Sequence, residues 1–133
     1  MGTLIDSSVL VAAERAKESV ASMLVAHREE KIAIAAITAS ELLHGVHRAG
    51  TAAQKVRRTA FVETVLSVVP VVSFDFVTAR LHARLWAELA SRGFSIGTHD
   101  LLIAATAMAH DFTVATRDKR SFAKIDGLKV VEW

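Results

Sequence analysis

Thr3-Leu4-Ile5-Asp6-Ser7-Ser8-Val9-Leu10-Val11-Ala12-Ala13-Glu14-Arg15, near the start of the 133-residue chain, sets a short apolar run before an acid and a helix-spaced apolar pattern after it. A bounded apolar run reads as a buried strand, and the apolar spacing after Asp6 reads as a helix. Thr3–Ile5 is therefore predicted as a strand and Ser7–Arg15 as a helix, and the chain goes on alternating in this way. A helix is expected over Glu18–Arg28, then a second strand at Lys31–Ala36, KIAIAA. Thr38 opens a helix through Val46, with Gly45 and Gly50 near its end, and a further helix covers Ala52–Leu66. Val68–Val72, VVPVV, has strand composition, but Pro70 has no amide to give a ladder and belongs on a sheet edge. Asp75 is expected to cap a helix reaching Ser91 and closed by Arg92-Gly93. Asp100–Ala109 is apolar almost all round, so that helix should be buried. Thr113–Thr116 reads as a fourth strand, and Leu128–Val131, after the Asp126-Gly127 turn, as a fifth.

Strands alternating with helices imply parallel pairing through right-handed crossovers, with both sheet faces covered. The expected fold is α/β: a three-layer α/β/α sandwich around a central parallel sheet of four or five strands, with residues 1–133 forming one domain. A 52% hydrophobic composition is ample for one core, and 6 glycines with 1 proline leave no obvious linker. The absence of cysteine removes disulfides, thiolate nucleophiles and cysteine-held metals, so any ion must be bound by oxygen or imidazole. A strand starting by Thr3 leaves no room for a leader, and the longest strongly apolar stretch, Leu101–Ala109, is too short to cross a bilayer. A cytoplasmic protein with no membrane partner is the expectation.

Net charge is only +2, a weak pointer to nucleic acid by itself. Its distribution says more: Arg48, Lys55, Arg57 and Arg58 form one basic group, and Arg117, Lys119, Arg120 and Lys124 surround Asp118. Solvated helix faces would explain such groups equally well, but here they accompany acids that share a structural position. Asp6, Glu41, Asp100 and Asp118 each fall at a strand end or helix start, where open α/β folds gather functional groups outside the carboxyl ends of the strands.

Each acid also has a purely structural reading. Asp6 is placed to cap the helix after it, Glu41 completes a capping box with Thr38, and Asp100 and Asp118 follow Thr98 and Thr116 where carboxylates favour the positive helix end. Together, however, four carboxylates at one sheet edge repel, and a divalent cation would relieve this. Hard oxygen donors favour Mg²⁺, with Mn²⁺ as the substitute. Such an ion acidifies water and screens phosphate charge, the chemistry of phosphodiester hydrolysis. Among the histidines, His44 and His47 share a helix face and read as surface residues, while His99 adjoins Asp100.

Three segments, LIDSSVL, ITASELLHG and HDLLIAATAMAHDFTVATRDKRSF, together span most of the chain and resemble the PIN-domain ribonucleases, specifically the VapC-type toxins of bacterial type II toxin–antitoxin pairs. The resemblance implies a metal-dependent endoribonuclease with Asp6, Glu41, Asp100 and Asp118 as its acidic quartet. Asp6 and Asp100 would be the chief metal ligands, and Glu41 would complete the site and orient the nucleophile. Asp118 occupies a position that varies in the family and often carries Asn. Ser7 and Thr116 would support the site from behind it or meet the substrate. The resemblance further implies a cognate VapB-type antitoxin that blocks the acidic pocket, an RNA substrate, homodimers and toxin–antitoxin hetero-oligomers.

A phosphoacceptor receiver domain would want an early acidic pair and an acid ending the third strand, whereas Asp6 is followed by two serines and that strand ends at Val72-Ser73. A haloacid-dehalogenase-like phosphatase would want an acid where Ser8 stands. The remaining alternative is a non-catalytic PIN-like module that binds RNA or protein, its acids serving as caps.

Overall fold

A computed structural model describes residues 2–133. Five parallel strands form one sheet in the order β3-β2-β1-β4-β5: β1 Gly2–Ile5, β2 Ile32–Ala35, β3 Val71–Val72, β4 Phe112–Thr116 and β5 Val130–Glu132. Helices α1 (Ser7–Arg15), α2 (Val20–Ala26), α3 (Ala36–His47) and α4 (Ala52–Val68) lie between β1 and β3. Helices α5 (Phe76–Ser91) and α6 (Thr98–Ala109) lie between β3 and β4.

The two-residue period of the strands divides the core in two. Leu4, Ala33, Ala35 and Val114 face a cluster with Leu85, Leu89, Leu101, Ile103 and Phe122, whereas Ile5 and Ile34 face Val9, Leu10, Met23, Leu42, Val62 and Val65. Adjacent strand residues point to opposite faces, so the α5/α6 layer covers one face and the α1–α4 layer the other. This is the three-layer sandwich that the alternation predicts, with all five strands present. The small Ala104, Ala105 and Ala107 let the buried α6 approach the sheet closely.

Chain direction across the sheet reverses at β1. From β1 the chain moves to β2 and then to the β3 edge, and it returns on the other side as β4. The crevice outside the carboxyl ends of β1 and β4 is thus the topological switch point, the expected ligand position in an open parallel sheet.

Local chemistry moves several boundaries. The VVPVV segment does not form one strand: α4 continues through Val68, and only Val71–Val72 pairs, at the sheet edge. Pro70 disfavours a helical conformation in the residue before it, so Val69 turns extended, with ψ 121°. The Pro70 carbonyl still accepts a 2.9 Å bond from Ile34 N. Helix α2 is shorter than the predicted Glu18–Arg28, because Lys17 takes φ 57° and the Ser19 hydroxyl caps Ser22 N. Asp75 caps α5 as expected, accepting from Thr78 N at 2.9 Å. It also lies 3.6 Å from His110 beyond the end of α6, which makes α5 and α6 an antiparallel pair with the start of α6 at the β1/β4 crevice.

Candidate active site

Asp6 leaves β1 tied to the end of β4. Its amide donates to Ala115 O at 2.8 Å, and its side chain is nearly buried. The hydroxyls of Ser8 and Thr116 donate to its Oδ2 at 2.7 and 2.9 Å. A hydroxyl has one proton to give, so the 3.3 Å approach of Ser8 to Thr116 is a packing contact between two groups committed to the same carboxylate. The two oxygens accept in turn from Arg117 N at 3.1 Å and Asp118 N at 3.0 Å. A small network therefore fixes Asp6, and no side-chain donor among the described residues meets its Oδ1.

This corrects two sequence expectations. Asp6 stands at the N-cap position of α1 but makes no side-chain capping bond, since the hydroxyls hold its carboxylate elsewhere. The serine that bonds it is Ser8, not the predicted Ser7, which instead lines the cavity wall. Helical geometry explains the shift: two residues into a turn, a serine hydroxyl can reach back to the residue preceding the helix. Thr116, fully buried, stands behind the site as predicted.

The capping box predicted for Glu41 also gives way. Helix α3 begins at Ala36, two residues before Thr38, because Ala35 already turns from the strand into the helix. Thr38 is then interior, with its hydroxyl buried and unpartnered, and Glu41 lies in the second turn, too far along to reach the orphan amides of the first. The Glu41 Oε2 lies 3.5 Å from His99 Nδ1, while Oε1 is buried without a hydrogen-bond partner. Asp100 lies in the first turn of α6, which begins at Thr98 rather than at Asp100. Asp100 thus keeps the expected place at the positive helix end, and Asp118 makes a capping bond, accepting from Arg120 N at 3.2 Å over a 3₁₀ turn at Lys119–Ser121.

The acids divide between two adjoining cavities. Asp6, Asp100 and Asp118 line one of about 750 Å³ together with Ser8, Arg117 and Ser121. Glu41 and His99 line the other, of about 660 Å³, with His44, Arg48 and Arg58. Ser7, Val11 and Arg15 border both. His44 and His47 are exposed on α3, as expected of surface histidines. Arg15 was not apparent in the sequence as a site residue, since a basic residue in the last turn of a helix reads as a dipole partner.

The acids still sense one another across this division. Burial raises the Glu41 carboxyl above its ordinary range; the His99 contact opposes this, and the charges of Asp6 and Asp100 add to it. Burial likewise raises Asp100, reinforced by Asp6 and Asp118 and opposed by the Ser121 hydroxyl and His99. For Asp118, burial acts upward, but hydrogen bonds from Ser121 and Arg120 and the Arg120 charge outweigh it and hold the group below its usual value. Among the described residues, no three acidic or histidine side chains stand close enough to hold an ion by themselves.

The donor set nonetheless fits a hard divalent cation. All the candidate donors are carboxylate oxygens, burial and the charge of Asp6 raise the carboxyls of Glu41 and Asp100, and one buried Glu41 oxygen has no partner. Magnesium commonly keeps several waters and takes one or two protein carboxylates, so it needs no closed cage of three.

The PIN domain family model matches residues 3–128. Ribonuclease VapC1 of Rickettsia felis is 35% identical over 131 residues, covering 98% of this chain and 96% of its own length. The tRNA(fMet)-specific endonuclease VapC of Salmonella typhimurium is 30% identical over 103 residues, covering 77% of this chain and 76% of its own. A chain in the crystal structure of VapBC2 from Rickettsia felis, bound to a DNA fragment from its promoter, superposes with a TM-score of 0.88 at 25% identity, covering 100% of this chain and 99% of that one. With a matching family model, matching relatives and a sheet whose switch point carries the acids, the chain belongs to the PIN-domain family, among its VapC-type toxin ribonucleases.

Proposed function

We propose that the protein is the toxin of a VapBC-type pair: an endoribonuclease that hydrolyses RNA phosphodiester bonds with Mg²⁺, or Mn²⁺ in its place, and is restrained by a cognate VapB-type antitoxin. One observation carries this reading. Asp6 and Asp100, on separate elements, line one cavity at the β1/β4 switch point, where burial and the Asp6 charge raise the Asp100 carboxyl. Asp6 and Asp100 would hold the ion, which when bound screens the scissile phosphate and acidifies the attacking water.

The chain's own residues supply the rest. Ser8 and Thr116 hold Asp6 by Oδ2, which leaves Oδ1 without a side-chain donor among the described residues. Glu41, its carboxyl raised by burial against the opposing His99 contact, would help orient the attacking water. Asp118 orders the 3₁₀ turn through Arg120 and Ser121, which brings Arg117 to the cavity wall. Arg15, Arg48, Arg58 and Arg117 give the paired cavities a cationic rim against an anionic backbone. The antitoxin would cover the same openings, in a toxin–antitoxin hetero-oligomer built on toxin homodimers.

Incubating the purified protein with a mixed RNA pool tests this directly. Cleavage should require added Mg²⁺ or Mn²⁺, cease in excess chelator, disappear in Asp100→Asn and be suppressed by a stoichiometric VapB-type antitoxin. Cleavage that persisted in chelator would overturn the metal mechanism. RNA binding without cleavage at any metal concentration would favour the non-catalytic module.

A further inference from the structure

The first turn of α6 borders three cavities with three consecutive residues. Asp100 faces the cavity of Asp6, His99 faces that of Glu41, and Thr98 faces a third space of about 130 Å³. Successive helical side chains point about 100° apart, so the three spaces surround one helix end. The third is floored by Leu89 and Leu101 and walled by His82, Trp86 and Phe94. Trp86 is 63% exposed and Phe94 39% exposed, a large apolar area for a surface helix and loop to leave open.

Charge decides what this slot fits. The Arg92 guanidinium lies 4.7 Å above the Phe94 ring and the Lys124 ammonium 5.9 Å from it. Arg92 is paired with Asp126, whereas Lys124 meets only a carbonyl, Ser95 O at 3.2 Å, and keeps its charge for another partner. Lys124 stands three residues after Ser121, which lines the acid cavity, and its ammonium lies beside the Phe94 ring that walls the slot. Exposed aromatic rings beside one unneutralised cation, Lys124, at a helix end shared with the acid cavity, match the needs of an unpaired nucleotide. The base stacks on the rings and the phosphate meets the ammonium.

We propose that this slot, built by Trp86, Phe94 and His82 with Lys124 at its mouth, takes one unpaired base of the RNA strand next to the cleaved phosphate. The inference rests on the ribonuclease reading and deepens it: the slot selects single-stranded RNA, because a base held in a duplex stack cannot enter. It also gives the protein a place to discriminate among bases, distinct from the acids that perform the cleavage.

The test uses the full chain in chelator with a Trp133→Phe background, so that Trp86 is the sole indole, and two probes: a decameric oligoadenylate and an abasic decamer of the same backbone. Oligoadenylate should quench Trp86 saturably, and the abasic decamer should bind about tenfold more weakly with little quenching. Phe94→Leu, which keeps the apolar volume but loses the ring, should reduce only the oligoadenylate affinity, whereas Lys124→Ala should weaken both probes alike. Equal binding of the two probes, or oligoadenylate binding that leaves Trp86 unquenched, would overturn the slot. If Trp86→Ala instead separates a dimer of the protein while RNA cleavage is unchanged, the face is a protein interface and the slot proposal fails, with the ribonuclease reading intact. If the unmodified protein neither binds nor cleaves RNA, the ribonuclease reading fails first.

Discussion

Thr116 donates a 2.9 Å hydrogen bond from its fully buried hydroxyl to Asp6 Oδ2, joining the ends of β1 and β4 across 110 positions of chain. The Thr116 hydroxyl oxygen in turn accepts from Asp118 N, so one threonine registers two of the four acids. Replacing Thr116 by Val keeps the shape and removes both bonds. Loss of a hydrogen bond to a charged group, with Asp118 N left unpaired, should cost about 1–3 kcal/mol of stability. The Mg²⁺ concentration giving half-maximal cleavage should rise by about 10- to 100-fold, the usual effect of removing support behind a metal ligand. Cleavage titrated against Mg²⁺ at fixed RNA checks this; an unchanged midpoint would show that Ser8 alone suffices to hold Asp6.

Asp6→Asn and Asp100→Asn are expected to abolish cleavage while keeping the fold, because each removes a proposed ligand and no structural bond from a main-chain amide. Asp118→Asn should be milder. An amide oxygen can still cap the turn at Arg120 N, and the side chain stands half exposed at the cavity margin. Cleavage rates of the three variants against a common RNA, each with a circular dichroism spectrum, separate these outcomes. Near-normal cleavage by Asp100→Asn would remove that residue from the ligand set.

Burial of Glu41 and Asp100, reinforced by the charges of neighbouring acids, should appear as a pH dependence of the metal-free protein. Glu41 and Asp100 titrate above their ordinary values in the folded state, so the folded state holds their protons more tightly than the unfolded chain does. Their contribution to stability is therefore full below the unfolded carboxyl value and is lost as pH rises through the raised folded values. In chelator, the melting temperature of the Glu41→Gln, Asp100→Asn double variant should exceed that of the parent at neutral pH. The difference should shrink as pH falls, and added Mg²⁺ should reverse its sign. A parent protein as stable as the variant at neutral pH without metal would contradict this dependence.

Asp75 should act with the opposite sign. Hydrogen bonds from the Thr78 hydroxyl and amide, with His110 nearby, hold its carboxyl below the usual value. Its stabilisation of α5 is then present above the unfolded carboxyl value and lost as pH falls through the lowered folded one. Melting of Asp75→Ala against the parent from neutral to strongly acidic pH should show a deficit that closes only at the acid end. A deficit that did not vary with pH would assign the effect to packing rather than to the charged cap.

Fold and site were legible in the sequence to different degrees, for physical reasons. Alternation such as Ala33, Ile34, Ala35 reports directly which strand residues face which layer, and the two core clusters follow it. Strand order does not leave such a local trace, yet it is the reversal at β1 that makes a crevice beside Asp6. The acids stand out by their positions after strands, whereas the hydroxyls that orient them depend on side-chain reach, so no sequence pattern marks Ser8 as the serine that bonds Asp6. Glu41 misled because Thr38-Ala39-Ser40-Glu41 satisfies the capping pattern while lying inside a helix that had already begun at Ala36. The division of the acids between two cavities, and the border position of Arg15, come from how α1 crosses the crevice, which no local pattern encodes.

Thr38 provides the last test, since it is where a sequence pattern and the packed structure disagree. Its hydroxyl is fully buried in α3 and has no hydrogen-bond partner, one turn before Glu41. A buried unsatisfied hydroxyl costs about 1–3 kcal/mol, and valine has nearly the same shape without that cost. Valine loses somewhat more side-chain freedom than threonine in a helix, which offsets part of the gain. Thr38→Val should therefore raise stability by up to about 1 kcal/mol in chemical denaturation, and because the hydroxyl touches neither Asp6 nor Asp100, cleavage should be unchanged. If the variant is instead less stable and cleaves more slowly, the hydroxyl has a partner in the working enzyme, and the unpaired Glu41 oxygen on the same helix is the first place to look for it.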